Sequence, residues 1–111
     1  TARVWSSEFE WAAHKPIALE AGLSPDVIEA IRTHQDPLFE HEDEAVVHAF
    51  SKTLHTERHI NSDLYSRAVD ILGEASVIDL TGILGYYTLI SMTINVFKVP
   101  IPEGTLPELN V

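Results

Sequence analysis

Apolar and polar positions along the 111-residue chain recur at helical spacing throughout. Val46, Val47, Phe50 and Leu54 fall on one stripe of a helix that opens in the acidic run EHEDE, residues 40–44. Leu64, Tyr65, Ala68, Ile71 and Leu72 form another, led by Asn61 or Ser62 as a cap and closed by Gly73. Ser24 as N-cap, Pro25 in the first turn and Asp26 against the helix dipole announce a short helix over about residues 25–33. Gly22 closes the apolar segment before it, which reads as helical from residue 4. The longest pattern predicts a helix from about Ala75 to Phe97, after which the three prolines of VPIPEGTLPELNV leave only an extended arm. No stretch alternates as a strand does between hairpin turns, and no internal repeat appears. The pattern predicts an all-α domain of about five helices spanning residues 1–111.

The longest helix raises a second possibility. From Leu80 to Phe97 it carries no formal charge, so a membrane span has to be weighed. Thr81, Tyr86, Tyr87, Thr88, Ser91, Thr93 and Asn95 scatter around it, and Lys98 is the one basic flank. That polarity favours a buried central or interface helix over insertion.

Composition narrows the partners. Seventeen acidic residues against seven basic ones give a net charge of −10. A surface of that sign repels phosphate backbones and anionic membranes. With no cysteine there is no disulfide framework, thiolate metal site or thiol nucleophile. The 45% apolar content supports a real but small core, which leaves burial for a homo-oligomer to complete. The chain opens on Thr-Ala-Arg and shows no secretory signal pattern, so the cytoplasm is the default location.

The first helix holds the candidate chemistry. At about 100° per residue, Arg3, Ser7, Glu10, His14 and Ile17 fall on one face. Trp5, Ala12, Pro16, Leu19 and Leu23 cover the opposite face, while Glu8 and Lys15 share a third, solvated strip. Pro16 deprives the Ala12 carbonyl of its helical partner and predicts a kink beside Glu10 and His14. A buried carboxylate one turn from an imidazole can fix its tautomer and support its charged form, which makes an acid/base pair. The same spacing also describes an ordinary surface stabiliser.

SEFEWAAHKPIALEAGLS, with the later GILGYYTLISMTINVFKVPIPEG, resembles the carboxymuconolactone decarboxylase family, which shares its all-α fold with alkylhydroperoxidase D-like proteins. Peroxidase relatives carry Cys-x-x-Cys-x-x-x-His on this helix; here Ser7 and Glu10 stand at the cysteine positions and His14 at the histidine. Thiol peroxidase chemistry is thereby excluded, since neither residue can form a disulfide. The resemblance implies a cofactor-independent lyase of aromatic catabolism acting on a small carboxylated lactone. Electrons released with CO2 flow into the lactone carbonyl, and the protein stabilises the oxyanion and protonates carbon. His14 would donate that proton, with Glu10 orienting it. Arg3 would receive a substrate carboxylate, Ser7 would line the site, and Tyr86 and Tyr87 would wall it or serve as plain aromatic core. The resemblance also implies a trimer or hexamer, helices upstream of this segment and no metal or organic cofactor. The alternative is a non-catalytic ligand-binding or scaffold protein of the same fold.

His41, His48 and His55 recur every seven residues, with His59 following. Seven-residue steps separate ligands by roughly 10 Å along a helix, too far for one metal, so this row reads as a solvated face. Gly82 and Gly85 sit in no phosphate-binding motif and read as permitting close helix packing. Asn95, polar in an apolar helix, needs partners on a neighbouring element.

Overall fold

Residues 1–110 are described by the computed structural model, which contains five α-helices and, among those residues, no strand. They are α1 (Glu8–Glu20), α2 (Pro25–Arg32), α3 (Glu42–Glu57), α4 (Ser62–Leu72) and α5 (Glu74–Phe97). Their packing divides into two compact units. One comprises Thr1 with Phe39–Tyr87; the other comprises Ala2–Leu38 with the chain from Thr88 onward. The single helix α5 thus contributes its first half to the first unit and its second half to the second.

The first unit is an α3–α4 hairpin packed with the start of α5. Three acidic residues in the first turn of α3 complement the helix dipole, and Arg58 closes α3 in a left-handed conformation (φ 65°). Asn61 then caps α4 by accepting the Leu64 N–H at 2.9 Å. Gly73, at φ 85°, ends α4 and offers its carbonyl to Val77 N–H, so a single residue joins α4 to α5. Val46, Phe50, Ala68, Val77 and Leu84 form the core, with Leu54, Leu64, Ile71, Leu72 and Leu80 around it. Both predicted stripes therefore point inward, except at Val47 and Tyr65, which are exposed. Within the histidine row, His48 tilts against Phe39 at 5.3 Å and His55 Nε2 meets Thr1 Oγ1 at 2.8 Å. These two are half-buried, whereas His41 and His59 are exposed. The expected solvated face thus holds only at its ends.

In the second unit, α1 ends in a Schellman turn. Gly22 takes φ 95°, and Leu23 N–H reaches back to the Ala18 carbonyl at 3.0 Å. Ser24 caps α2 through the Asp26 N–H, with Pro25 in its first turn, as its sequence predicts. The end of α2 repeats the α1 turn with His34 in the left-handed position (φ 59°) and Gln35 N–H bonded to the Ala30 carbonyl. Trp11, Ile28 and Leu109 form the core of this unit, with Ala2, Ala18, Leu23 and Ile31 against them.

Three expectations need correction. Helix α1 starts at Glu8, not residue 4, because Ser6 adopts φ 49° and the preceding residues close a turn. In that turn Ser6 N–H bonds to the Arg3 carbonyl and Ser7 N–H to the Ala2 carbonyl. Arg3 is therefore not on the α1 face. Second, α1 is not buried on two sides: among its residues only Glu10 and Trp11 are buried, while Ile17 and Leu19 are exposed. Third, α5 is not a buried central helix, since Ile78, Ile83, Tyr86, Leu89, Met92, Val96 and Phe97 are exposed.

Candidate functional site

The α1 helix holds Glu10 and His14 together. The two lie one turn apart, with Glu10 Oε2 3.2 Å from His14 Nδ1. That nitrogen also lies 2.9 Å from the Glu10 backbone carbonyl, which can only accept, so in the neutral ring Nδ1 carries the proton. Nε2 then bears the lone pair, and it is the atom that can take up or deliver a proton. The N–H is aimed at the carbonyl, so the carboxylate contact is an ion-pair distance that strengthens when the ring is charged. Burial divides the pair sharply. The Glu10 side chain is 8% exposed and that of His14 46%. The carboxylate is inside the protein and the imidazole stands at its surface.

The second unit also buries polar atoms for which no hydrogen bond is found within the described chain, among them Glu10 Oε2, Ser7 Oγ, Trp5 Nε1 and Ser91 Oγ. Ser7 precedes Glu10 by one turn, and Trp5 lies two residues before Ser7. The Trp5 carbonyl accepts the Asn95 side-chain N–H at 2.8 Å, and Ser91 lies one turn before Asn95 on α5. Asn95 thus finds the partner that its polarity demanded. Buried polar atoms are ordinarily satisfied, so the Trp5 indole N–H and the Ser7 and Ser91 hydroxyls stand out in this unit, while Glu10 Oε2 keeps its ion-pair contact with His14. Trp5 and Ser91 were not legible as site residues. An indole and a serine in apolar segments carry no spacing signal, and only their burial without partners singles them out.

Arg3 has other duties than substrate binding. Its guanidinium donates to the Leu109 carbonyl at 2.9 Å and to His34 Nε2, which must therefore present its lone pair. It is one of several groups that grip the C-terminal arm. Glu8 accepts the N–H groups of Glu108 and Leu109 at 2.9 and 2.8 Å. Arg32 donates to the Glu108 carbonyl, while Lys15 Nζ and Trp11 Nε1 reach the Glu108 carboxylate at 2.6 and 3.1 Å. The strip expected to be solvated, Glu8 with Lys15, is the arm's seat. Lys15, followed by Trp11, holds the Glu108 carboxyl below its ordinary value against a smaller opposing effect of burial.

Tyr86 and Tyr87 belong to the first unit, where their rings meet edge to face at 5.2 Å. Tyr86 is exposed and Tyr87 half-buried. Among the described residues no group of three or more His, Asp or Glu side chains is placed to hold a metal ion.

The fold and the site together define an all-α protein with a carboxylate–imidazole pair at the start of its first helix. No family model, curated protein or solved structure matches the chain.

Proposed function

We propose that this chain is a cofactor-independent acid/base enzyme of the carboxymuconolactone decarboxylase type, acting on a small carboxylated lactone. The observation that carries the reading is the buried Glu10 carboxylate beside the half-exposed His14 imidazole on one helix. Decarboxylation into a lactone carbonyl develops negative charge on oxygen, and preorganised neutral donors stabilise such charge. In this reading the Trp5 indole N–H and the Ser7 and Ser91 hydroxyls take the oxyanion. His14, charged through Nε2 and steadied by Glu10, then delivers a proton to carbon and regains it from water. The substrate carboxylate receptor expected at Arg3 is left out, because that side chain already serves the arm and His34. The protein works in the cytoplasm as a homo-oligomer, with no nucleic acid or lipid partner.

A second reading has one observation in its favour. An imidazole 46% exposed is poorly screened from water, as befits a ligand-binding or scaffold protein that keeps the fold without turnover. The two separate on incubation of the full-length protein with carboxymuconolactone, following loss of the lactone and release of CO2. The enzymatic reading expects turnover without added metal or organic cofactor. Saturable binding of intact lactone with no product would remove it and leave the scaffold.

A further inference from the structure

The outward face of α5 has a pattern that neither the core nor the site explains. Ile78, Gly82, Gly85, Leu89, Met92 and Val96 are separated alternately by four and three residues. This is the spacing of a coiled-coil seam, and it is a property of one continuous helix. The inward residues Val77, Leu84 and Ser91 are buried against the chain itself. The seam is not: Ile78 is 65% exposed, Leu89 56% and Val96 70%. A Cβ added at Gly82 or Gly85 would meet no atom within 4 Å, so the hollows above the glycines are not filled by this chain.

We propose that this seam pairs with the same seam of a second copy, antiparallel about a two-fold axis that crosses the seam midway between Gly85 and Leu89. Size selects the direction. Both glycines lie in the N-terminal half of the seam, behind Ile78, and the C-terminal half is bulky throughout. Antiparallel pairing sets Leu89 over Gly85 of the second copy, Met92 over Gly82 and Val96 against Ile78, knobs into holes along the contact. Parallel pairing stacks glycine on glycine in two successive layers and leaves voids there. Charge selects the same direction. Glu74 and Asp79 lie at the start of α5 and Lys98 just past its end, so antiparallel copies bring opposite charges together. Parallel copies would set Asp79 beside Asp79. Between those ends, from Leu80 to Phe97, no formal charge opposes the contact. A lipid surface would ask only for apolarity and would not need the three-four spacing or the matched hollows.

A two-fold, isologous contact generates an even number of subunits, which selects a hexamer or dimer over a trimer. The inference rests on the homo-oligomer part of the proposed function and is independent of the chemistry at His14.

The cysteine-free chain permits a direct test. Ile78→Cys and Val96→Cys versions of the 111-residue chain are prepared separately, reduced, then oxidised alone and as an equal mixture. The mixture is expected to give a disulfide-linked dimer, at least tenfold more than either variant alone. Cross-linking of each variant with itself but not in the mixture would overturn the antiparallel arrangement. No cross-link in any sample would overturn the interface. In sedimentation, the unmodified protein is expected at an even multiple of 12.4 kDa and Leu89→Glu at a lower multiple. Because Leu89 is exposed in the single chain, Leu89→Glu leaves its fold intact, checked by circular dichroism. An unmodified protein that sediments at 12.4 kDa, or that binds phosphatidylcholine vesicles in place of itself, would refute the proposal. Lactone turnover is read separately, so loss of the interface and loss of the chemistry are distinguishable.

Discussion

Glu8 shows how much one side chain can decide. Its two carboxylate oxygens accept successive backbone N–H groups of the arm and hold Leu109 in the core of the second unit. Hydrogen bonds to a charged acceptor are worth about 1.5–3 kcal/mol each, less where water competes. Glu8→Ala is expected to cost about 2 kcal/mol in urea denaturation and to expose the Leu109 amide to rapid hydrogen exchange. Glu108 adds a pH dependence. Its carboxyl titrates below the ordinary 4.5 in the folded protein, mainly through Lys15, so the unfolded chain takes up the proton first. Stability from this group is full above that value and is lost as pH falls through the folded one. Glu108→Gln should flatten that part of the stability profile. His55 acts higher in the range: burial lowers its imidazole from 6.5, so acidification below 6.5 favours the unfolded, protonated form. His55→Gln should remove the loss of stability that begins there. None of these roles was legible in sequence. Glu8 and Glu108 are a hundred residues apart, and no local pattern announces a contact made through the backbone of an extended arm.

The helices themselves were largely legible, because their signals are local. The Ser24–Pro25–Asp26 start, the Asn61 cap, and the Gly22 and Gly73 ends all fall where side-chain and backbone preferences place them. The start of α1 was not, since an apolar Val4–Trp5 pair masked a turn fixed by the left-handed Ser6. With it went the placement of Arg3, while the Glu10–His14 spacing survived because both residues lie beyond the turn. At this scale the α3–α4 hairpin makes a firm prediction. Phe50 is 3% exposed at the centre of the first unit's core. Phe50→Ala should cost about 3–5 kcal/mol, read from the midpoint of chemical denaturation.

Across the whole molecule, charge and apolar surface are unevenly spent. Of seven basic residues, Arg3, Lys15 and Arg32 are engaged with the arm, which leaves little positive charge to receive an anionic substrate. Apolar content promised a core, and hydropathy alone did not say that much of α5 would face outward. Burial of that helix depends on what surrounds the chain, which lies outside any single-sequence pattern. The Glu10–His14 pair is where residue, helix and function meet. His14 partners a buried carboxylate, so circular dichroism of the His14→Ala protein accompanies its activity measurement and separates loss of fold from loss of chemistry.

The most direct measurement is therefore the rate of lactone decarboxylation by the assembled wild-type protein, by His14→Ala and by Glu10→Gln. Turnover by the wild type is expected, with kcat lower by about a hundredfold or more for His14→Ala and by less for Glu10→Gln. A wild-type rate no faster than the uncatalysed reaction, or a His14→Ala protein as active as the wild type, would contradict this expectation.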